Sequence, residues 1–441
     1  MKKRPVLTPP VQRVHLAYFL ARLFVEQGTK RFHRTDVLTG LENFPDKKTP
    51  MVMVGNHQNG MMDPLNICGN MERQFHWLTR ADVFWKPIFK KILFAFNQMP
   101  IYRQKDRLPD TRERNEIIWN NCLDRLEIGA SLALFPEGNH NPQKTIRPLK
   151  RGVSDLLGRA YTRNKDLGRI QLIPFGQDYE HYPTFRRRLS LRAGEPIEWV
   201  DLYNEETKAI DYVKLNERIS DALRKLTLDI QPSKEYELFE PYVRAFRPTE
   251  KIGDDWEAIL TDLKRIKNSA ADEGWLTRVK QSYNELVNAG FDDSMRPEAW
   301  GHDENQTRPK SLLARLLLPI GWLAQAPSAL QHYIINKKGD GVKKIEFRST
   351  FKIGPGMFLL PISWLIIGSV LGWLLSCYNV IPFWMALVGF YVWANWGNIL
   401  YGKIVGLNHD YDDALEGERF WGNGNGKLSE AWKNYIEAIR S

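Results

Sequence analysis

The sequence predicts an α/β fold, a mainly parallel sheet surrounded by helices, followed by a helical insert and a C-terminal transmembrane helical hairpin. Three observations carry this expectation. From 50 to about 203, short apolar runs alternate with longer helical segments, the pattern of strands joined by crossover helices. From 208 to about 299 the chain is charged, helical in period and poor in motifs. Between Lys352 and Lys403 there is not one Asp, Glu, Lys or Arg.

Taken in order, residues 1–48 form an N-terminal segment in which Val11, Val14, Leu16, Phe19, Leu20, Leu23 and Phe24 recur at helical spacing among Arg13, Arg22, Lys30 and Arg31. A basic amphipathic helix at a membrane interface fits this pattern, and an ordinary core-facing helix fits it equally. The basic start is not followed by an unbroken apolar stretch with a small-residue cleavage site, so no signal peptide is expected and the α/β part should stay in the cytosol.

The α/β domain is placed at 49–207, with strands at MVMVGN, MPIYR, SLALFPEG and IQLIPFG. A helix-like stretch follows the first strand, a helix at 108–128 follows the second, and another precedes the fourth. The helical insert is placed at 208–310 and a membrane region at 311–441. A membrane span needs about 20 mostly apolar residues, and 355–377 and 381–401 fit that length twice, with Tyr378, Asn379 and Pro382 at the turn.

Trp364, Trp373, Trp384, Trp393 and Trp396 suit interfacial belts or helix packing. Lys343, Lys344, Arg348 and Lys352 flank the first span and Lys403 follows the second, which puts both ends of the hairpin in the cytosol. A buried helical hairpin in a soluble core is the alternative, and so long an uncharged run disfavours it. The apolar stretch 316–335 contains Pro319, Gln325, Pro327, Gln331 and His332, so it suits a surface-lying or re-entrant element better than a span.

A net charge of +10 draws the surface toward anionic partners: nucleic acid, anionic lipid headgroups or phosphorylated substrates. No zinc spacing, RNP-like string or heptad-linked basic region is present, so nucleic acid is not the expected partner. Cys68, Cys122 and Cys377 form no CxxC pair, which supports neither a disulfide framework nor a zinc site and points to a reducing compartment.

The residues that bear chemistry cluster after the apolar runs. GNHQNGMMDP puts His57 at a strand end with Asp63 in the next turn, where an imidazole can take a hydroxyl proton and a carboxylate can fix its tautomer. FNQMPIYRQKD ends on Arg103, whose planar fork suits a phosphate. SLALFPEGNHNP places Pro136, Glu137 and Gly138 in a turn at the same sheet edge. Each has a plain structural explanation when taken alone.

In this order the blocks resemble the glycerolphosphate and 1-acylglycerol-3-phosphate O-acyltransferase family over about 49–198. The resemblance implies the family's fold, with His57 as general base on the acceptor hydroxyl and Asp63 orienting it. Five residues separate the two, one more than in most of the family, and HQNGMMDP is similar to the glycerol-3-phosphate and dihydroxyacetone-phosphate acyltransferase branch.

The resemblance further implies acceptor-phosphate contact by Arg103, following Met99, Pro100 and Ile101, joined by Arg80, which stands where the family often has lysine. It implies acceptor binding by Glu137 and Gly138, and a donor-side role for Pro174 in LIPFGQDY. Asn139, His140 and Asn141 stand where much of the family has a Thr-Arg-Ser string that supplies a phosphate ligand. Either Lys150 and Arg151 compensate or the acceptor differs. TFRRRLSLRAGEPI resembles the family's closing hairpin with Gly194, Glu195 and Pro196. Its Arg186, Arg187, Arg188 and Arg192 are expected to form a solvated basic face, with CoA or lipid phosphates as the sharper alternative.

The expected function is a membrane-bound O-acyltransferase of phospholipid synthesis. It would move a fatty acyl group from a thioester, acyl-CoA or acyl carrier protein, to glycerol-3-phosphate or a 1-acylglycerol-3-phosphate. The partners are the thioester donor, a phosphorylated glycerol or lysolipid acceptor, and membrane lipids. No cofactor or metal is implied, and stabilisation of the oxyanion is expected from backbone amides near Gly138 or from a nearby polar side chain. The protein is expected to be integral to the membrane, the inner or cytoplasmic membrane if bacterial, with its catalytic domain on the cytosolic face. Another lipid acceptor, or a non-catalytic lipid-binding relative, remains as an alternative. A metal-dependent hydrolase using His57, Asp63 and His140 lacks a third ligand at a recognisable spacing.

Overall fold

The run Met51, Val52, Met53, Val54 is shielded from solvent on every side chain, as continuous apolar strands in parallel sheets are. The computed structural model describes residues 16–84, 87–103, 110–245, 252–302, 312–422 and 426–441. Val11, Arg13 and Val14 of the expected N-terminal helix, the start of the helix expected at 108, and the boundary expected at 310/311 lie outside the described residues.

Among the described residues, β1 (Arg34–Thr39), β2 (Met51–Gly55), β3 (Phe75–Arg80), β4 (Gln98–Ile101), β5 (Ser131–Leu134), β6 (Gln171–Tyr179) and β7 (Arg188–Ala193) form a seven-stranded sheet in the order β1-β7-β6-β2-β5-β3-β4. β6, β2, β5, β3 and β4 run parallel, β7 is antiparallel to β6, and β1 is parallel to β7. The sheet is therefore mixed and mostly parallel. It holds the four expected strands and three more. The stretch expected to be helix-like after β2 contains α2 (Met62–Asn70), β3 and α3 (Pro87–Ala95).

Side chains alternate across the sheet with the strand period of two. Val52 and Val54 face one layer with α4 (Thr111–Glu127), α5 (Gly152–Arg163) and α6 (Tyr212–Arg224), through Ile118, Leu126, Leu156, Leu215 and Leu223. Met51 and Met53 face the other, where α1 (Leu16–Phe32) and α2 contribute Tyr18, Val25 and Ile67. α6 falls in the span 208–310, yet its apolar face closes the core of the sheet.

A second core gathers α7 (Tyr236–Ala245), α8 (Ile252–Ser269), α9 (Glu273–Asn288) and α10 (Pro297–Trp300) around the C-terminal α16 (Gly426–Arg440). It combines aliphatic side chains with a group of aromatic ones, with Phe420 stacked on Trp300 at a centroid distance of 4.0 Å. The helices on either side of 312–422 thus meet in one layer.

Between them run α11 (Leu312–Leu316), α12 (Leu318–Gln325), α13 (Ala329–Asp340), α14 (Ile345–Cys377) and α15 (Phe383–Gly422). The stretch 316–335 is broken into short helices, with Pro319 in the first turn of α12 and Pro327 in a 3-10 turn. Among the described residues, α14 is the helix long and apolar enough to cross a membrane. Phe358, Leu359, Ile362, Ile366 and Val370 on it are each at least half exposed. The apolar half of α15 packs along α14 but interleaves Asn395 and Asn398 with its tryptophans.

The arginines of β7 and the loop before it are not a solvated basic face. Arg187 is buried and pairs with the fully buried Asp413 at 2.6 Å, and Arg188 meets Asp410 at 3.3 Å. Arg192 is buried over the Trp256 ring at 3.7 Å, and Arg186 donates to the carbonyls of Lys30 and His33. α15 runs far past 401 and carries acids to the sheet, which neutralise cations that look exposed in the sequence alone.

Candidate active site

Because β2, β3, β4 and β5 are parallel, the segments that follow them leave the sheet at one edge, where sites in α/β folds collect. His57 follows β2, Arg80 ends β3, Arg103 follows β4, and Glu137 and Gly138 follow β5.

Asp63 sits in the first turn of α2 and is fully buried. His57 Nδ1 lies 2.7 Å from Asp63 Oδ2, the same oxygen that accepts the backbone N–H of Gln58 at 2.8 Å and of Asn59 at 2.9 Å. Asp63 Oδ1 accepts the Tyr179 hydroxyl at 2.6 Å, and Asn66 Nδ2 donates to that hydroxyl at 2.9 Å. A buried carboxylate is costly unless its lone pairs are matched by donors, and here His57, the turn that follows it and Tyr179 of β6 supply them. The Asn56 side chain fastens the loop to β6 by a reciprocal pair with the Gln177 backbone, at 2.9 and 2.8 Å.

Asp63 assigns the proton of His57 to Nδ1 and leaves Nε2 with a lone pair. No described residue bonds Nε2. The ring is stacked on Phe135 at 4.2 Å, which fixes its plane, and the side chain keeps 16% of its surface exposed. The arrangement can therefore accept a proton from a group entering at the sheet edge.

The FPEG turn lies beside it. Gly138 has φ +77°, a conformation that favours glycine, and its N–H closes the turn on the Phe135 carbonyl at 3.0 Å. That amide is thereby withdrawn from the oxyanion role expected near Gly138. Glu137 is buried and ion-paired to Arg147, which also donates to the His57 carbonyl at 3.3 Å. Burial outweighs the attraction of the Arg147 guanidinium and pushes the Glu137 carboxyl up to about 7.

The remaining expected site residues divide. Lys150 stays with the FPEG turn, its N–H on the Pro136 carbonyl at 2.7 Å and its side chain over Gly138. Arg80 and Arg103 share Asp82, at 2.5 and 3.4 Å, further along the same edge. Arg151 stacks on Tyr212 at 4.5 Å, toward α6. Pro174 is buried within β6 opposite Val54, its carbonyl accepting the Gly194 N–H at 2.9 Å.

Several residues join the site that no motif marks. Tyr179 ends the apolar run of β6, so only its place beyond LIPFGQD hints at a role. Nothing local singles out Arg147. The start of α14 also arrives here from far along the chain: Ser349 Oγ donates to Asn59 Oδ1 at 2.9 Å, and Phe347 meets His140 edge-on at 4.7 Å. Gly60, at φ +47°, leaves room for that approach, since a Cβ there would lie 2.9 Å from the Glu346 carbonyl oxygen. His140 stands edge-on to His57 at 5.6 Å and 3.6 Å from Glu346, and burial, then the proximity of His57, lowers its pKa.

Residues 37–176 match the family model described as Acyltransferase. An uncharacterized acyltransferase of Schizosaccharomyces pombe is 30% identical over 135 residues, covering 30% of this chain and 20% of that protein. A chloroplastic 1-acyl-sn-glycerol-3-phosphate acyltransferase of Brassica napus is 27% identical over 136 residues, covering 31% of this chain and 37% of that protein. A glycerol-3-phosphate O-acyltransferase of Saccharomyces cerevisiae is 26% identical over 116 residues, covering 25% and 15%. The chain spans less than half the length of each of these relatives. The crystal structure of the 1-acyl-sn-glycerophosphate acyltransferase of Thermotoga maritima aligns with a TM-score of 0.33 at 16% identity, over 46% of this chain and 77% of that one.

Proposed function

We propose, from the acyltransferase domain at residues 37–176, that the chain is a membrane-bound O-acyltransferase of phospholipid synthesis. The observation that carries this is the 2.7 Å contact of His57 Nδ1 with Asp63, which leaves Nε2 open at the sheet edge. As the acceptor hydroxyl oxygen attacks the thioester carbonyl, its proton passes to Nε2, and Asp63 stabilises the imidazolium. The tetrahedral intermediate collapses with cleavage of the carbon–sulfur bond. The thiolate leaves with the proton held by His57, giving an ester and a free thiol and restoring the neutral imidazole. The thioester already carries an activated acyl group, so acyl-CoA or acyl carrier protein serves as donor without a further cofactor.

The acceptor is glycerol-3-phosphate or a 1-acylglycerol-3-phosphate. Arg80 and Arg103, at the edge where His57 emerges, suit the phosphate. Glu137, Gly138 and Lys150 form the wall beside the acceptor, and Pro174 shapes the donor side. In this reading α14 crosses the membrane with the apolar half of α15. Lys343, Lys344, Arg348 and Lys352 at one end and Lys403 at the other hold the sheet on the cytosolic face. The exposed apolar residues Leu16, Phe19 and Leu20 of α1 suit the interface.

The test is the full chain in phosphatidylcholine vesicles with labelled acyl-CoA or acyl carrier protein. The acceptor panel is glycerol-3-phosphate, dihydroxyacetone phosphate, lysophosphatidate and lysophosphatidylcholine. Acylation of a glycerol-phosphate acceptor is expected. Thioester hydrolysis alone, or no consumption of donor with any acceptor, would overturn the proposal.

A further inference from the structure

A cavity of 660 Å³ lies between α1, α13, α14 and α15, away from the FPEG turn. None of its lining residues falls within 37–176, the stretch shared with acyltransferases. Its size is in the range of small-molecule sites, about 300–1,000 Å³, and its lining is mixed in chemistry: Phe24, Met357, Leu360 and Trp364 contribute apolar surface, and Arg31, Asn395 and Asn398 contribute polar groups.

Arg31 is the informative residue. Its guanidinium donates to Asn395 Oδ1 at 2.8 Å, a neutral partner, while its Nε is buried with no hydrogen-bond partner among the described residues. The other cation of the lining, Lys352, is already paired with Asp340 at 2.7 Å and donates to the Pro183 carbonyl at 2.9 Å. The cavity therefore holds one cation whose charge no described carboxylate balances. A half-buried cation in that state is costly unless an anion joins it. Asn395 and Asn398 sit in the long uncharged run of α15, where Asn395 accepts from Arg31 and Asn398 Nδ2 lies 2.6 Å from His332 Nε2, so Arg31 is the polar group of the lining left with unmet hydrogen-bonding capacity.

We propose that this cavity is a lipid site distinct from the His57 edge. It holds a phosphate-bearing, single-chain lipid with its phosphate on Arg31 and its chain against α14 and α15. A basic pocket between apolar helices has the chemistry for such a headgroup, and the apolar part of the lining accepts the chain. The cavity begins one turn beyond Ser349, the residue of α14 that reaches the His57 loop, so an occupant touches the helix that also borders the catalytic loop.

The test uses the full chain in phosphatidylcholine nanodiscs with no acyl thioester present, so that binding is read without turnover. The probe is lysophosphatidate with a diazirine in its chain, compared with the choline analogue of the same chain. Saturable labelling of peptides containing Met357 and Tyr391 is expected, competed by unlabelled lysophosphatidate and not by inorganic phosphate or glycerol-3-phosphate. Arg31→Gln should weaken the phosphate lipid by about tenfold or more, the worth of a charged hydrogen bond.

Gly356→Leu fills the cavity from a helical position where the nearest side-chain atom to a new Cβ is 4.0 Å away. It should abolish labelling while the thermal midpoint holds. Equal labelling in wild type, Arg31→Gln and Gly356→Leu would overturn the proposal. Equal labelling by the choline analogue, or displacement by inorganic phosphate as effective as by lipid, would also overturn it. His57→Ala should label like wild type, so failure here and failure of the catalytic reading are separable.

Discussion

The Tyr179 hydroxyl donates to Asp63 Oδ1 at 2.6 Å, joining β6 to a carboxylate 116 residues earlier in the chain. Asp63 in turn spends its other oxygen on His57 and on two backbone amides. Tyr179→Phe keeps the ring and removes one donor from a buried charge. Stability should fall by roughly 1.5–3 kcal/mol, the worth of a hydrogen bond to a charged group. Acyl transfer should slow less than in any His57 variant. Urea denaturation and a kcat against KM comparison check both, with the effect expected in kcat.

Asp63→Asn preserves the shape and removes the charge that fixes the His57 tautomer. Transfer should fall by about 10²–10⁴-fold, the usual worth of general base catalysis, with acceptor KM little changed. Steady-state kinetics on the folded variant measure this directly.

Glu137 gives a stability signature in pH. Its carboxyl is pushed from 4.5 up to about 7 in the fold, so between those values the folded state holds a proton that the unfolded chain has lost. The contribution is fully present below 4.5 and is lost as pH rises through about 7. Glu137→Gln should therefore gain stability relative to wild type on going from pH 5 to pH 8, read as the change in the difference of denaturation midpoints.

His33 gives the opposite sign. It is buried with both ring nitrogens lacking a partner among the described residues, and burial, reinforced by Arg186, holds its pKa down at about 3. The unfolded chain takes the proton first, so this contribution is present above 6.5 and is lost as pH falls toward 3. His33→Phe should show a shallower loss of stability on acidification across that window.

Asp413 lies between Arg187 and Arg296 and is fully buried. Asp413→Asn leaves the buried Arg187 with Glu180, at 3.5 Å, as its remaining anion, so stability should fall, by less than the roughly 3–5 kcal/mol that a buried charge left wholly unpaired costs. Chemical denaturation is the readout.

The parallel strands were legible because β2, β4, β5 and β6 are apolar runs ending in turn residues, and the His57, Asp63 and Glu137 positions follow from where those runs stop. β3, with the sequence FHWLTR, mixes aromatic and polar side chains although it pairs with β5 on one side and β4 on the other, so its pattern does not announce a strand. β7 shows the limit most clearly. Arg187 and Arg188 read as solvent-facing because the acids that bury them, Asp410 and Asp413, lie more than 200 residues later. The same holds for Arg147 beside Glu137 and for Ser349 beside Asn59: each is a pairing made by the fold, with no period or spacing to reveal it.

The most direct test of the account is His57→Ala in the full chain, assayed in phosphatidylcholine vesicles with labelled acyl thioester and the acceptor that wild type acylates. With the thermal midpoint held, transfer should fall by roughly 10²–10⁴-fold or more. A folded His57→Ala protein that transfers acyl groups at the wild-type rate would contradict it.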